Sequence, residues 1–592
     1  MKIRYLNGRR LYFAILAGGN AVIEDQSYLN KINVFPVPDA DTGTNLATTM
    51  RAIADGAEAH LSIKATLKSI ANAALSGARG NSGLIFAQFI HGVSKEIGLE
   101  PTLTTHSFAE SVKAAVHYAH KAIVHPAEGT MITVIRDWAE SVYQWRTKTS
   151  DFVELMTESL QAARISLKET TQKLQVLAKA GVVDAGAKGF VDFLEGILQY
   201  IKKGRLDHPK KAEVLWAQDE IKTPSKDKSL EFRYCSEALL TGTNLDPDMI
   251  RSVVRRFGES AVVAGSEEKT RVHVHTNRPD ELFFELKDHG VTSQIKVDDM
   301  RRQYEAAHQR KSGIAVVVDS ACDLPAAVFD EHQIHMVPVI LSFGDQQFLD
   351  KVTIRPDQFY RLLKTSSVQP KTAVPPVTAA QNQLAFLAGH YDSIIVLSLS
   401  DKLSGVYNMF VSAASQIQGK KVSVINSRNI SAGSGLLVLK ACAMAEAGAP
   451  HDEIVRAVEA AVPKSQLLVD VATMKYFVRS GRVSPIKGLI GRLLKVKPII
   501  TIDETGKATD AGKSLTRDAN MAKILALIRK RTSEQELEGY AVVHVLNEER
   551  AALYGKRLTE MLGREPGFIT DVAPVIGVHA GPGTVAVALL YK

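Results

Sequence analysis

Residues 33–45 read NVFPVPDADTGTN, and this stretch carries the strongest clue to the fold of the N-terminal region. Two prolines hold its approach extended, so Asp39 and Asp41, two positions apart, can point to one side. Gly43 permits a tight turn before Thr44-Asn45 open a helical pattern. Two converging carboxylates suit Mg²⁺, and the free amide groups of a helix start suit a phosphate. An Asx turn with an N-cap would explain the same residues without a ligand.

Two further glycine-rich loops precede helical patterns in the same region, SGARGNSG at 76–83 and DAGAKG at 184–189. Glycine lets backbone amides approach an anion closely. One such loop could simply connect two helices, but three in one region favour a nucleotide site. The candidate nucleotide-binding residues are Thr44, Asn45, Gly80, Asn81, Ser82, Asp184 and Gly186.

Residues 8–202 are predicted to form an all-α domain, because apolar residues recur at spacings of three and four and β-branched runs are scarce. The predicted helical stretches are Leu11 to Ile32, Leu46 to Ile70, Leu84 to Ile97, Phe108 to Ile123, Val153 to Leu177 and Phe190 to Ile201.

The remainder divides into two domains joined by charged linkers at 203–230 and 303–312. Residues 231–302 predict a small α+β domain, with strands at 261–264 and 271–275 and a helix beginning near Asp246-Pro247. From Gly313, short apolar strands alternate with helical patterns, which is typical of βαβ units and parallel sheet. Residues 313–592 are therefore predicted to form one two-lobed α/β domain.

The middle domain contains a candidate metal site. On a strand, His273 and His275 project to one face, while Val272 and Val274 face the other way. Two imidazoles on one face can bind Zn²⁺, and Cys235 could supply a third ligand. From the residues alone, a chance pair of strand histidines and a core cysteine is the commoner explanation.

The C-terminal half places hydroxyl residues beside glycines just after predicted strands, where they can donate to a carboxylate or a phosphate. The motifs are DSACDL at 319–324, KTAVP at 371–375, LSDKLSGVYN at 399–408, RSGRV at 479–483 and HAGPG at 579–583. An apolar tract near 489–494 suits either core packing or the wall of a lipid tunnel.

The composition indicates a multidomain globular protein. The chain has 592 residues, which is too long for a single hydrophobic core. Of these residues, 45% are hydrophobic and 23% are charged, as is usual for globular proteins. The formal net charge is +8, but the basic residues are scattered and do not alternate with aromatics, so we expect no nucleic-acid partner. Three widely spaced cysteines and no apolar run of membrane-spanning length lead us to expect a reducing, cytoplasmic compartment.

Residues 10–200 resemble the DhaL-type nucleotide-binding domain of dihydroxyacetone kinases, an antiparallel helical barrel that binds Mg·ATP at one end. The loops at 33–45 and 77–83 are similar to those of the form found in bacterial fatty acid kinases. The resemblance implies that Asp39 and Asp41 are catalytic residues and Mg²⁺ ligands, with Asn33 as a candidate third ligand.

The middle domain resembles that of fatty acid kinases over Tyr234–Glu237 and Val272–Asn277, which implies Zn²⁺ bound by Cys235, His273 and His275. Residues 313–592 resemble the DegV (EDD) family of fatty-acid-binding proteins. That resemblance implies an apolar acyl pocket whose head group meets four residues, Thr372, Ser404, Gly405 and His579. It also implies that Arg482 lies at the rim, facing the kinase domain.

The resulting hypothesis is an ATP-dependent kinase that phosphorylates a fatty acid carboxylate held in its own C-terminal domain, giving an acyl phosphate and ADP. An acyltransferase that uses acyl phosphate is the expected downstream partner, and a homo-oligomer is compatible with the sequence. Two alternatives are a small-molecule kinase of the dihydroxyacetone (glycerone) type and a non-catalytic lipid carrier or regulator.

Overall fold

The computed structural model describes residues 2–35, 41–204, 231–480 and 497–592. The chain divides into two compact units. The first unit comprises Met1–Arg278 with Glu285–Asp298, and the second comprises Pro279–Phe284 with Asp299–Lys592. The predicted classes are confirmed, since a helical region, a small α+β region and an α/β region follow one another along the chain.

Helices dominate the first 204 residues, together with a short antiparallel pair between β1 and β2. In chain order the elements are β1 (Tyr5–Leu6), α1 (Gly8–Glu24), α2 (Gln26–Lys31), α3 (Thr42–Gly56), α4 (Ile63–Gly77), α5 (Gly80–Glu96), β2 (Leu103–Thr104), α6 (Thr105–Ala122), α7 (Met131–Trp145), α8 (Phe152–Lys173), α9 (Gln175–Ala180) and α10 (Ala185–Lys203).

Three long predicted helices are each divided in the structure, and the stretch from Val153 to Leu177 breaks at Leu174, between α8 and α9. The stretch from Leu11 to Ile32 breaks at Asp25, whose carboxylate accepts a hydrogen bond from Lys188 Nζ at 2.9 Å. The stretch from Leu46 to Ile70 breaks after Gly56, and α4 begins at Ile63 after the N-cap Ser62, whose Oγ accepts from Ala65 N. The helix α7 was not predicted, because the β-branched residues at 132–135 hide its helical period.

Close packing of α1 against α10 depends on two glycines. A methyl group on Gly18 would lie 2.6 Å from the Phe193 ring, and one on Gly196 would lie 2.5 Å from Ala17 O. Both distances are too short for a real side chain, so the two helix backbones approach closely only because these positions carry no Cβ. This contact fixes the position of α10 within the helical domain.

The middle domain is a four-stranded sheet with the order β4-β5-β3-β6. Its elements are β3 (Tyr234–Thr241), α11 (Pro247–Arg255), β4 (Gly258–Gly265), β5 (Lys269–Thr276), α12 (Pro279–Leu286) and β6 (Val291–Asp299). The strand β5 pairs antiparallel with both β3 and β4. Val262 and Ala264 of β4 belong to the same buried cluster as the helical core, so the sheet and the helices share one apolar interior.

The second unit begins with a helix, not with the predicted linker. Residues 303–308 lie in α13 (Met300–His308), where Arg302 pairs with Asp330 at 2.5 Å and Ala306 is fully buried. The sequence misled because two of its charged residues, Arg302 and Glu305, resemble linker residues, whereas in the structure both are buried and pair with each other.

The first lobe of the second unit confirms the predicted parallel sheet. Strands β7 (Ile314–Asp319), β8 (His335–Val337), β12 (Ser393–Ser398) and β13 (Lys421–Asn426) pair in parallel in the order β13-β12-β7-β8. A second, antiparallel sheet has the order β10-β9-β11. The remaining elements of this lobe are α14 (Ala326–Glu331), β9 (Ile340–Phe343), β10 (Gln346–Leu349), α15 (Pro356–Thr365), β11 (Pro370–Ala373), α16 (Val377–His390), α17 (Val406–Ala414), α18 (Ala432–Glu446) and α19 (His451–Ala461).

The second lobe corrects the prediction of parallel sheet. Its six strands lie in the order β16-β15-β14-β19-β17-β18, and all of the pairs except β17–β18 are antiparallel. The elements are β14 (Ser465–Asp470), α20 (Met474–Ser480), β15 (Lys497–Ile502), β16 (Ala508–Ser514), α21 (Arg517–Glu534), β17 (Leu537–His544), α22 (Glu548–Leu562), β18 (Ile569–Asp571), α23 (Pro574–Ala580) and β19 (Val585–Tyr591). Apolar strand runs reveal burial, but they do not reveal strand direction. Of the helices in the described ranges, none has both the length and the apolar character needed to cross a membrane.

Candidate functional site

Three helices of the first unit begin beside one another, at the three loops that the sequence singles out. A methyl group on Gly80 would lie 2.2 Å from Asn45 Nδ2, so the start of α3 touches the start of α5. A methyl group on Gly186 would lie 3.6 Å from Ser82 Cβ, so α10 begins against the same loop. Gly80 also has φ +59°, a conformation that glycine adopts without strain. Converging helix starts present free amides and positive dipole ends, which favour an anion.

Asp41 stands at the start of α3 with its carboxylate uncommitted to the helix. Within the described ranges that carboxylate makes no capping hydrogen bond, whereas its backbone oxygen accepts from Asn45 N at 2.8 Å. Burial is the main cause that raises the pKa of Cys235, and the charge of Asp41 is the smallest of the causes that add to it. Asn33 is 4% exposed. Asp39 lies in the segment 36–40, outside the described residues.

Two of the predicted nucleotide contacts hold helix starts in the structure. Thr44 N donates to Asn30 Oδ1 at 3.0 Å, and Thr44 Oγ1 accepts from Asn30 Nδ2 and Gln26 Nε2. Asp184 caps α10 by accepting from Ala187 N at 2.8 Å, and burial raises its pKa to about 6. Asn30 and Gln26 were not predicted, because only the folded chain brings α2 against α3.

Asn81, unlike Thr44 and Asp184, has a side-chain oxygen without a partner among the described residues. Its Oδ1 atom is buried and has no hydrogen-bond partner among the described residues. A buried amide oxygen normally finds a partner, because leaving it unpaired costs about 1–3 kcal/mol. This oxygen lies in the first turn of α5, beside the converging helix starts.

Cys235, His273 and His275 come together as the sequence predicts. Their ligand atoms lie within 4.8 Å of one another, and Cys235 Sγ is 3.8 Å from His273 Nδ1. Cys235 pairs directly across the sheet with His275. The second ring nitrogen of His273, Nε2, is buried and has no hydrogen-bond partner in the described part of the chain. One thiol and two imidazoles at this spacing fit Zn²⁺.

Burial favours the neutral forms of Cys235 and His275. Burial and then the charge of Glu237 raise the pKa of Cys235 well above its usual value. Burial and then His273 lower the pKa of His275 to about 3. A metal ion binds the thiolate and neutral imidazoles, so loading the cluster would displace the thiol proton.

Glu237 is a buried residue of this site that the sequence analysis did not single out. Its carboxylate accepts from Gly80 N at 2.6 Å, pairs with Arg79 at 3.2 Å and lies 3.2 Å from His273 Nδ1. Burial alone would raise its pKa, but the hydrogen bond with His273 and the charges of Lys296, His273 and Arg79 hold it well below the usual range. The only sequence signal was its position two residues after Cys235, which places both on one face of β3.

The second unit contains an apolar cavity of about 180 Å³. Thr372 of β11, Ser404 and Gly405 before α17, and His579 of α23 all line it, so one cavity gathers the four predicted head-group residues. Aliphatic residues from both lobes form the walls, among them Val339, Leu399, Leu467, Val469, Ile500 and Val543. Arg482 and the apolar tract near 489–494 lie outside the described residues.

Buried carboxylates position the loops around this cavity. Asp319 accepts from Leu399 N at 2.8 Å and from Ser398 Oγ at 3.0 Å, which holds the segment leading to Ser404. Asp323 accepts from Ala573 N at 2.9 Å, immediately before the helix that carries His579. The DSACDL motif therefore supports the cavity, whereas the sequence predicted that its hydroxyl residue presents a donor to a ligand.

Two polar residues of the cavity were not predicted, Ser431 and Thr584. Ser431 has φ +59°, outside the usual range for serine, and its Oγ donates to Asp323 at 2.5 Å. Strained, buried residues of this kind occur at functional sites when their surroundings hold them in place. No sequence pattern marks them, because the backbone conformation appears only in the folded chain.

Comparison with known protein families identifies the three domains. Residues 36–199 match the DAK2 domain, residues 231–307 match the FakA-like middle domain of fatty acid kinases, and residues 313–592 match the DegV family of uncharacterised proteins. The first two domains are of a kinase-type family. The chain is therefore a fusion of a fatty-acid-kinase-type DAK2 and middle domain with a DegV domain, which confirms the resemblance drawn from the sequence.

Curated relatives are similar over about half of this chain. An uncharacterized protein of Staphylococcus saprophyticus is 35% identical over 309 residues, covering 50% of this chain and 56% of the relative. Protein YloV of Bacillus subtilis is 34% identical over 327 residues, covering 53% of this chain and 59% of the relative. The chain thus spans little more than half the length of these relatives.

Solved structures of DegV proteins are similar to about half of this chain. DegV from Bacillus subtilis, described as a fatty acid binding protein, is 27% identical, covers 48% of this chain and all of its own, and has a TM-score of 0.44. A DegV family protein from Thermus thermophilus, described by its fatty acid binding, is 23% identical, covers 47% of this chain and 99% of its own, and has a TM-score of 0.45.

Proposed function

We propose that this protein transfers the γ-phosphoryl group of ATP to the carboxylate of a fatty acid held in the DegV domain. A carboxylate oxygen attacks the γ-phosphorus, the bond from that phosphorus to the β,γ-bridging oxygen breaks, and ADP leaves. The products are an acyl phosphate and ADP, and no proton needs to be removed from an ionised acid. The observation that carries the proposal is the apolar cavity lined by Thr372, Ser404 and His579, in the same chain as a kinase-type domain.

The cavity suits a long acyl chain with a polar head. Its walls are aliphatic, and each buried CH₂ group contributes about 0.8 kcal/mol to binding without needing a particular head group. Thr372, Ser404 and His579 supply donors from three separate elements. Ser404 lies two residues before α17, whose N-terminal dipole end favours a negative charge. These features favour a fatty acid over a small hydroxyketone.

Phosphoryl transfer needs positioning and charge stabilisation more than it needs reactive side chains. We propose that the starts of α3, α5 and α10 bind the phosphates of ATP, and that Asn81 Oδ1 gains its missing partner when nucleotide or metal is bound. Asp41, with Asp39, would hold Mg²⁺, which when bound neutralises charge on the β- and γ-phosphates. Asn33 remains our candidate for a third ligand.

We further propose that Cys235, His273 and His275 hold Zn²⁺. The support is the spacing of the three ligand atoms together with the unpartnered, buried Nε2 of His273. The acyl phosphate product is a reactive mixed anhydride, so an acyltransferase that uses acyl phosphate is the partner we propose downstream.

The proposal is tested by supplying the full chain with Mg·ATP and fatty acids of graded length, and trapping acyl phosphate with hydroxylamine. We expect an acyl hydroxamate and an equal amount of ADP from wild type. Asp41→Asn should abolish both at unchanged melting temperature, because a ligand carboxylate at a helix start adds little to the core. Asp55→Asn is the matched control, an exposed aspartate of the same helix α3, and should retain wild-type turnover.

Two results would contradict the proposal. ADP release with dihydroxyacetone but with no fatty acid would indicate a small-molecule kinase. ATP binding without turnover on any acid, together with a co-purifying lipid, would indicate a carrier or regulator.

A further inference from the structure

One face of the middle sheet carries three cross-strand pairs in a row. Between β3 and β5 these are Cys235 with His275, Glu237 with His273, and Leu239 with Arg271. Because alternate residues of a strand share a face, the metal cluster, Glu237 and Arg271 all point the same way. In the folded chain, two members of this row reach the glycine-rich loop at 76–83.

Arg271 holds the end of α4, immediately before that loop. Its guanidinium donates to Leu75 O at 3.1 Å and to Ser76 O at 2.6 Å, and it also contacts Gln294 Oε1 at 2.5 Å. The last carbonyls of a helix lack intrahelical partners, so this side chain caps α4 from another domain. Arg271 is fully buried, and its pKa, lowered by burial to about 10, leaves it charged at neutral pH.

Glu237 holds the other side of the loop, at the first residues of α5. It accepts from Gly80 N at 2.6 Å and pairs with the Arg79 guanidinium. Gly80 must keep φ +59° and pack against Asn45 for the three helix starts to converge. The same carboxylate oxygen that receives the Gly80 amide lies 3.2 Å from His273 Nδ1, so one atom contacts both the loop and the metal cluster.

We propose that Glu237 is a positioning residue that holds the 76–83 loop in its nucleotide-binding conformation and couples that conformation to metal bound at Cys235, His273 and His275. The proposal deepens the proposed function and rests on it, since it takes this loop to be part of the ATP site. With metal bound at the cluster, the His273 imidazole would be restrained, its Nδ1 contact would restrain the Glu237 carboxylate, and that carboxylate would keep the Gly80 amide in place. Because such coupling is reciprocal, nucleotide binding in turn strengthens metal binding.

Simple domain packing would use the same contacts but would predict different behaviour. If Glu237 only joined the two domains, its removal would lower the melting temperature of the first unit and leave nucleotide affinity insensitive to the metal. If Glu237 positions the loop, nucleotide affinity depends on the metal only while the carboxylate is present. Measuring nucleotide affinity in wild type and in a Glu237 variant, each with and without metal, therefore distinguishes the two interpretations.

The test measures the dissociation constant of a fluorescent ATP analogue for the full chain in excess Mg²⁺, with and without a chelator selective for Zn²⁺, and assays zinc content in parallel. We expect chelation to weaken binding to wild type by about fivefold or more. Glu237→Ala should weaken binding by about tenfold, with no further effect of the chelator, and should also loosen zinc.

Two variants make the result specific. Glu237→Gln should recover part of the affinity, because its amide oxygen can still accept from Gly80 N, and this isosteric change serves if the alanine variant fails to fold. Glu268→Ala removes an exposed carboxylate from the turn between β4 and β5 and should behave as wild type.

Metal-independent nucleotide binding by wild type, or wild-type affinity in both Glu237 variants, would overturn the inference. If wild type binds no nucleotide at all, the proposed function itself fails. If wild type binds nucleotide and forms no acyl phosphate, the acceptor assignment fails while this test still stands.

Discussion

Ser404 is the residue on which the acyl-pocket assignment depends most directly. Its hydroxyl lines the cavity, and Val406 N donates to its Oγ at 3.4 Å. The long Val406 contact leaves the hydroxyl proton available for a ligand. A carboxylate would draw a charge-assisted hydrogen bond from it, whereas an ester would gain little.

Ser404→Ala should therefore weaken the binding of a long-chain fatty acid by about tenfold or more and leave the binding of its methyl ester nearly unchanged. The lost bond is worth roughly 1.5–3 kcal/mol for a charged partner, and the apolar contribution is common to both ligands. Titration of the full chain with both ligands measures the difference. Ser412→Ala, at an exposed serine of the adjacent helix α17, is the control and should change neither. Equal losses for acid and ester would show that Ser404 only supports the local fold.

At the scale of elements, α13 decides where the second unit begins. Arg302 is buried and pairs with Asp330 of α14 at 2.5 Å, and Ala306 packs in the core of the first lobe. A fragment beginning at Gly313 would lose both contacts. A fragment beginning at Asp299 would keep them.

The fragment 299–592 should consequently melt about 5 °C or more above the fragment 313–592, since removing one partner of a buried pair costs a few kcal/mol and each kcal/mol shifts the melting temperature of a domain this size by roughly 2–4 °C. Calorimetry of the two fragments measures the difference. Arg302→Met within the longer fragment should reproduce part of the loss. Equal melting temperatures would mean that α13 is a linker after all, as its composition first indicated.

The sequence predicted the features that depend on residues close together in the chain and missed those that depend on contacts between distant residues. The alternation of His273 and His275 with valines was enough to predict a shared face, and the structure brings Cys235 to it. The antiparallel pairing of β14 with β19 could not be predicted, because its partner lies more than 110 residues further along the chain. The role of Glu237 depends on Gly80, separated by 157 residues. Contacts between residues far apart in the chain produce no periodic pattern in the sequence.

At the scale of the whole molecule, buried carboxyl groups in both units make stability depend on pH. Burial raises the pKa of Asp184 and of Asp319 to about 6, and that of Asp350 to about 7. Each folded-state pKa lies above the ordinary value of 3.8, so the folded state holds these protons longer. Their contribution is most favourable below about pH 4 and declines as the pH rises through the folded pKa. Buried histidines whose pKa is lowered act in the opposite sense, namely His91, His275 and His335.

Asp184→Asn isolates one of these groups, because asparagine keeps the helix cap and removes the titration. The difference in melting temperature of the first unit, variant minus wild type, should increase between pH 4 and pH 7. Calorimetry across that range measures it, and the transition of the second unit, to which Asp184 does not belong, is the internal reference. A difference that stays constant with pH would mean that Asp184 is not protonated in the folded chain near pH 5.

The pairing of β3 with β5 has a consequence for how the first unit is assembled. A slip of one residue would turn Arg271, His273 and His275 to the opposite face of the sheet, where Val272 and Val274 now lie. The slipped sheet would present two valines to the helical domain, leaving the end of α4 and the start of α5 without their partners. It could not bind metal either, because the thiol and the imidazoles would then lie on opposite sides. A metal ion bound during synthesis would thus stabilise the native register of β3 and β5 and none of the shifted registers. It would help the newly made chain to fold with its strands correctly aligned.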